Sequence, residues 1–307
     1  MREPLTSYMK VGIVHFMAFP STLKGEGPVA ETVRKIAEDD FFQAIEITWV
    51  KDAEERQKVQ RILSQSKLTV GFGAQPSLLT TGYDLNHLDP AQRQVAVNQI
   101  KAMIDMAHEM GIKKLAFLSG KDPGEAERKR ATAALVESLK EICAYARPKG
   151  IFIILETFDR TIDKKALIGP SDEAAAVTKA VRAEFDNFGL MIDLSHLPQQ
   201  FEKAGDALKN VKDYLVHAHI GNCVIKDKSH PAYGDAHPRF GVEGGEVDVD
   251  ELAEFLEQLF KVGYLGKGKK ELPVVAFEVK PIGDESPELI IANAKRTLLE
   301  AWARVQA

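Results

Sequence analysis

Short, nearly continuous apolar runs alternate eight times with longer helical patterns along this chain of 307 residues. An unbroken apolar run is typical of a parallel strand that is buried on both faces. The predicted strands are residues 11–16, 44–49, 68–72, 114–118, 151–156, 188–193, 214–220 and 274–279. Eight such strands, each followed by a helix, predict one closed (β/α)₈ TIM barrel that occupies residues 1–307 as a single domain.

The segments between the runs are rich in Ala, Glu, Lys and Arg and are predicted to be amphipathic helices. These helices are residues 29–39, 54–64, 90–110, 125–147, 172–184, 199–211, 248–262 and 287–304. The alternative fold, an open doubly wound sheet, usually carries a glycine-rich turn after its first strand. Here the first strand leads into MAFPSTLKGEG, which lacks that pattern. Two long connections, residues 73–89 and 221–247, are expected to shape a substrate pocket.

Composition and charge argue against several classes of partner. A net charge of −5 gives no overall field that attracts nucleic acid or an anionic membrane surface. No apolar run approaches the roughly 20 residues that a membrane-spanning helix needs. Two cysteines do not make a disulfide framework, and residues 1–10 lack the apolar core of a signal peptide. We therefore predict a cytoplasmic protein with a small-molecule substrate and without nucleic-acid or membrane partners.

Four consecutive predicted strands finish with a carboxylate or an imidazole, namely Glu156, Asp193, His219 and Glu278. The carboxyl ends of barrel strands meet at one face, where barrel enzymes have their active sites. Three carboxylates held close together repel unless they are protonated or share a cation. A mixed oxygen and nitrogen donor set suits a divalent metal. We predict one such ion, with Mn²⁺ preferred and Mg²⁺, Co²⁺, Fe²⁺ and Zn²⁺ as alternatives.

Three further residues near strand ends are candidates for supporting roles. His15 closes the first predicted strand and is expected to contact substrate. Glu46 lies inside the second strand and either reaches the pocket or orients a neighbour. His217 is interpreted as a core or supporting histidine that points away from His219.

The order and spacing of four short motifs, LETFDR, DLSH, HAHIGN and FEVKP, resemble those of the xylose-isomerase-like superfamily of sugar isomerases and epimerases. Each motif is weak alone, but the resemblance covers essentially the whole barrel. It implies that Glu156 and Glu278 are metal ligands and also the catalytic acid–base pair on opposite faces of the sugar. It implies that His196 binds a substrate hydroxyl or the metal-side oxygen, and that the reaction passes through an enediolate by proton transfer.

The chain departs from the sugar 3-epimerases of that superfamily at one position. They tend to carry an arginine six residues after the strand-seven histidine, where this chain has Ile225. Arg239, in the following loop, is a candidate to replace it in binding substrate. Arg160, in the strand-five motif, is a second basic candidate for a phosphate or carboxylate. These differences bear on the substrate more than on the metal.

Several functions remain open beside isomerisation. A lyase of the inosose dehydratase type uses the same enediolate. An abasic-site endonuclease shares the fold but needs more metal ligands and a basic face, and a non-catalytic sugar-binding barrel has no need of two flanking glutamates. Proton transfer is preferred to a hydride shift, since hydride-shift members typically use two metals and a lysine near strand five, and here the first lysine after Glu156 is Lys164. A homo-oligomer is left open.

Overall fold

A computed structural model describes residues 3–306 as a barrel of eight parallel strands surrounded by helices. The strands are β1 (Lys10–Ile13), β2 (Ala44–Ile47), β3 (Thr69–Gly73), β4 (Lys114–Leu118), β5 (Phe152–Glu156), β6 (Phe188–Asp193), β7 (Leu215–Ile220) and β8 (Val274–Phe277). Along the sheet they follow the order β1-β8-β7-β6-β5-β4-β3-β2. The predicted (β/α)₈ fold is confirmed.

The barrel closes between β1 and β2. Val14 and Glu46 form a parallel bridge there, and the backbone N–H of Gln43 donates to the carbonyl of Val11 at 2.8 Å. The side-chain oxygen of Gln43 accepts from the N–H of Val11 at 3.1 Å. The seam is therefore held by few backbone hydrogen bonds, and Glu46 lies within it.

The α-helices of the described chain follow the predicted pattern, with additional short ones. They are α1 (His15–Ala18), α2 (Val29–Ala37), α3 (Ala53–Ser66), α4 (Gln75–Leu79), α5 (Pro90–Glu109), α6 (Glu125–Ala146), α7 (Ser171–Arg182), α8 (His196–Gln200), α9 (Ala204–Val211), α10 (Val249–Lys261) and α11 (Pro287–Arg304). The helix predicted at residues 199–211 is in fact two, because Phe201 adopts a left-handed conformation with φ of 59°. His15 begins α1 and does not close a strand, so the first strand ends two residues earlier.

Apolar side chains fill the barrel interior toward the amino ends of the strands. Ala44 packs with Val274 and Ala276, and Ala116 packs with its neighbours on β5 and β6. A cavity of about 20 Å³ remains among them, which is room for one water molecule. Glu46, Lys114 and His217 also line this small cavity, and the main cluster of carboxylates lies beyond it, toward the carboxyl ends of the strands. Within residues 3–306, no helix is both long and apolar enough to cross a membrane.

Asp52 begins α3 and offers a test of helix capping in this fold. Its side chain accepts from the backbone N–H of Glu55 at 2.7 Å. We expect Asp52→Ala to lower the free energy of unfolding by about 1 kcal/mol, because a helical N–H loses its partner. Asp52→Asn keeps the acceptor and should retain most of the stability. Thermal melting of the two variants checks this, and equal melting temperatures would argue against the cap.

Candidate metal centre

Four strands bring Glu156, Asp193, His219 and Glu278 together at the mouth of the barrel. Glu156 ends β5, Asp193 ends β6, His219 lies in β7 and Glu278 directly follows β8. Each offers one ligand atom, these atoms lie within 4.8 Å of one another, and all four residues are buried. The structure thus assembles the full predicted ligand set in one cluster.

Two oxygens of this cluster are buried without a hydrogen-bond partner, Oε1 of Glu156 and Oδ2 of Asp193. The other oxygen of each carboxylate is occupied. Gln75 Nε2 donates to Glu156 Oε2 at 2.7 Å, and the N–H of Ser195 donates to Asp193 Oδ1 at 2.6 Å. A buried carboxylate oxygen without a partner is costly, and a cation satisfies both at once. The donor set therefore fits a divalent metal.

The imidazole of His219 is oriented by carboxylates on both sides. Its Nδ1 faces the cluster, 2.7 Å from Glu278 Oε2 and 3.6 Å from Glu156 Oε1. Its Nε2 donates to Glu46 Oε1 at 3.0 Å. Burial lowers the pKa of His219, but the charge of Glu46 and hydrogen bonds to the glutamates raise it well above its ordinary value. Because Glu46 occupies Nε2, Nδ1 is the nitrogen available to a metal once it has released its proton.

Glu46 supports this histidine from the side away from the cluster. Its carboxylate also accepts from His217 Nε2 at 2.8 Å. Burial raises the pKa of Glu46, but the two imidazoles lower it by more, so the pKa lies below its usual range. The expectation that His217 points away from His219 is wrong, because residues two apart in a strand share a face. Of the two roles considered for Glu46, its contacts favour orienting a neighbour.

A second group of donors adjoins the first and shares Asp193 with it. Asp193, His196 and His237 present ligand atoms within 4.8 Å of one another. Asp235 Oδ1 lies 2.9 Å from His196 Nε2 and 3.0 Å from His237 Nε2. Burial lowers the pKa of His196, but Asp235 and Asp193 raise it to about 10. The pKa of His237 rises to about 9, since the charges of Glu278 and Asp235 outweigh burial.

Asp235 and Lys164 are functional candidates that sequence reasoning missed. Lys164 Nζ lies 2.7 Å from Asp235 Oδ2 and 2.9 Å from Asp163 Oδ2. Burial lowers the pKa of Lys164, but the two aspartates raise it above its ordinary value, so the ammonium stays charged. Lys164, whose distance along the chain from Glu156 was the argument against a hydride shift, lines the same cavity as His219 and Glu278. The loop between β5 and α7 folds back so that Lys164 reaches this cavity.

The cluster opens on a cavity of about 150 Å³, which we call the inner cavity. The connection after β3 supplies Gln75, Pro76 and Leu79 to its wall, and the connection after β7 supplies Asp235. Both long loops therefore shape the pocket as expected. The remaining lining residues are Val14, Phe16, Met17, Leu23, Phe158, Lys164, His219, Glu278 and Lys280. One side of the inner cavity is apolar and the other is charged.

Three predicted substrate-binding residues have partners elsewhere and do not belong to the described lining of the inner cavity. His15 Nε2 lies 2.8 Å from Thr32 Oγ1, and burial lowers its pKa to about 3. Arg160 donates to both carboxylate oxygens of Glu173. Arg239 Nε donates to Glu285 at 3.1 Å. The start of α1 at His15 directs that ring toward α2, and ion pairs hold the two arginines away. His196, which was also predicted to bind substrate, is buried in the adjoining donor group.

Glu46→Gln tests the support of His219. Removing the charge behind a ligating imidazole typically weakens metal affinity 10–100-fold. We expect that loss in competition with a metal-binding dye. Glu38→Gln, an exposed change in a pair with Arg34, is the matched control and should bind as the wild type does. An unchanged affinity in the folded Glu46→Gln variant would show that Glu46 does not act through His219.

Comparison with known proteins places these features in a family. Residues 33–266 match the model of the xylose isomerase-like TIM barrel. The fold is similar to a D-psicose 3-epimerase from Clostridium cellulolyticum H10, solved with D-tagatose (20% identity, 96% of each chain, TM-score 0.67). It is also similar to the IolI protein with a bound zinc atom (17% identity, 97% of this chain and 100% of that chain, TM-score 0.72). A family 2 AP endonuclease from Brucella melitensis is similar as well (18% identity, 94% of this chain and 99% of that chain, TM-score 0.68). No curated protein sequence matches. The chain belongs to the xylose isomerase-like TIM barrel family.

Proposed function

We propose that this chain is a divalent-metal-dependent isomerase or epimerase of a sugar or a sugar-derived ketone. The observation that carries the proposal is the buried donor cluster at the base of the inner cavity, with its two unpartnered carboxylate oxygens. The similar epimerase structure with D-tagatose supports a sugar substrate. Mn²⁺ is the proposed ion, and the zinc in the similar IolI protein keeps Zn²⁺ as an alternative.

The two glutamates are proposed to move the proton. A divalent cation at this cluster would stabilise negative charge that develops on the substrate oxygens. Glu278 lines the inner cavity, so its carboxylate is suited to remove a proton from the carbon beside the carbonyl. Glu156 is held by Gln75 and is suited to return a proton from the other side of the substrate. The ammonium of Lys164 lines the same cavity, where it is paired with Asp235 and Asp163.

His196 is proposed to position the substrate. Its Nδ1–H donates to the carbonyl of Thr157 at 2.8 Å, which fixes the ring next to the donor cluster. Its Nε2 lies 2.9 Å from Asp235 Oδ1 but has no hydrogen-bond partner, so it is open to a substrate hydroxyl. The inner cavity combines an apolar face with a few converging polar groups, as is usual for small-molecule sites.

An abasic-site endonuclease is the second candidate, favoured by the donor group of Asp193, His196 and His237 beside the main cluster. A second cation there would compete with Lys164, which already neutralises Asp235. The net charge of −5 also gives no general attraction to DNA. Incubation with an oligonucleotide that contains an abasic site separates the two functions, since an isomerase leaves it intact.

The first test of the proposal removes single ligands. Asp193→Ala and His219→Ala should each lose the metal, because each removes one of four donors. His196→Ala is the matched control and should retain the metal but turn over more slowly. Elemental analysis of the purified variants measures this. Full metal content in both ligand variants would refute the assignment. Chelation should also lower the melting temperature of the wild type, because the carboxylates then repel.

The second test follows the hydrogen that moves. A proton carried by a carboxylate exchanges with water, so a reaction in D₂O should place deuterium on the reacting carbon. Glu156→Gln and Glu278→Gln should each reduce turnover at least about 10²-fold, measured at saturating metal. Because Lys164 reaches the inner cavity, a hydride shift is the specific alternative. Complete retention of the substrate's own hydrogen at the neighbouring carbon would establish that alternative and refute proton transfer.

A further inference from the structure

A second cavity adjoins the inner one and takes no part in the chemistry described so far. Its volume is about 220 Å³, and we call it the outer cavity. The two cavities share Leu79 and Lys164 in their walls. The rest of its lining includes Tyr83, Asp84, Ser119, Gly120 and Lys121. A substrate that extends past Lys164 would enter it.

Hydrogen bonds between three connections hold the outer cavity in shape. Asn86 Nδ2 donates to the carbonyl of Lys121 at 2.9 Å. The N–H of Leu167 donates to the carbonyl of Gly120 at 2.8 Å, and the N–H of Ile168 donates to Ser119 Oγ at 3.0 Å. A wall fixed in this way needs little ordering when a ligand binds. The outer cavity is therefore preformed before a ligand binds.

Asp84 is packed into this wall more closely than a side chain at position 120 would allow. A Cβ on Gly120 would lie 1.7 Å from Asp84 Oδ1. The same oxygen accepts from the N–H of Asn86 at 2.8 Å. Glycine at position 120 thus lets the carboxylate approach the backbone of the next loop. Leu79 and Tyr83 stand partly exposed beside it, 45% and 39% accessible, and offer apolar surface at the rim.

The charges around the outer cavity suit a neutral ligand rich in hydroxyls and oppose a phosphate. The carboxylate of Asp84 would repel a phosphate, and two aspartates already neutralise Lys164. Lys121 is then the remaining cation of the described lining. A carboxylate, an ammonium and an apolar or aromatic surface together can bind the hydroxyls and the C–H face of a sugar ring.

We propose that the outer cavity is a glycosyl subsite and that the substrate is a ketose or keto-sugar carrying a further sugar unit. This inference rests on the proposed function, since it places the reacting carbonyl unit in the inner cavity. Asp84 and Lys121 bind hydroxyls of the second unit, while Lys164 lies beside the junction. The enzyme should consequently prefer a glycosylated substrate to the free monosaccharide.

Binding of four probes to the metal-loaded protein tests the subsite. The probes are D-fructose, D-fructose 6-phosphate and two glucosyl-fructoses linked through O6 (isomaltulose) or O1 (trehalulose). We expect at least one glucosyl-fructose to bind at least about tenfold more tightly than fructose in titration calorimetry. Asp84→Ala and Lys121→Ala should each remove most of this gain and leave fructose binding unchanged. Asp213→Ala, an exposed change just before β7, is the matched control.

Three results would overturn the subsite. The first is that both glucosyl-fructoses bind no more tightly than fructose. The second is that the gain in affinity of a glucosyl-fructose over fructose survives in both Asp84→Ala and Lys121→Ala. The third is that D-fructose 6-phosphate binds most tightly of the four probes. Deuterium exchange from D₂O into the bound sugars is measured separately. Gain in binding that depends on Asp84, without any exchange, would refute the proposed isomerase function and leave the subsite standing. Deuterium exchange into fructose, without tighter binding of either glucosyl-fructose, would refute the subsite and leave the proposed isomerase function standing.

Discussion

Compensation of buried negative charge is the constraint on which the rest of this structure depends. Glu46, Glu156, Asp193, Asp235 and Glu278 are all buried at one end of a barrel whose walls are apolar. Carboxylates in such a setting must be paired, protonated or bound to a cation. Imidazoles and Lys164 pair with part of this charge, and the unpartnered oxygens of Glu156 and Asp193 mark where a metal fits. The barrel brings these groups together because it directs all strand ends to one face.

This arrangement also separates two layers of function along the barrel axis. The layer of Glu46 and His217 faces the small cavity near the amino ends of the strands and contacts the donor cluster through His219. The layer of Lys164 and Asp235 lines the inner cavity. A substitution in the first layer should change the metal, whereas one in the second should change the substrate preference.

The sequence predicted the barrel and the main donor cluster well for one reason. Apolar runs identify the buried strands, and the residue that closes each run must lie at the carboxyl-end face, so Glu156, Asp193, His219 and Glu278 follow from position alone. Asp235, His237 and Lys164 lie in long connections, and no periodicity indicates where such a loop returns. His15 and Arg160 were misplaced for the converse reason. Their local partners, Thr32 and Glu173, lie on helices whose packing the strand pattern does not specify.

The bridge between Val14 and Glu46 connects the seam of the barrel to the candidate metal centre. Glu46 belongs to β2, at the sparsely bonded seam of the barrel, and it also holds His219 of β7. The donor cluster itself ties β5, β6 and β7 to the residue after β8. An ion bound there would link β2, through Glu46 and His219, to the strands that carry the other donors. Local opening of the seam and release of such an ion would then be coupled, and the metal-loaded protein should resist amide exchange at the seam.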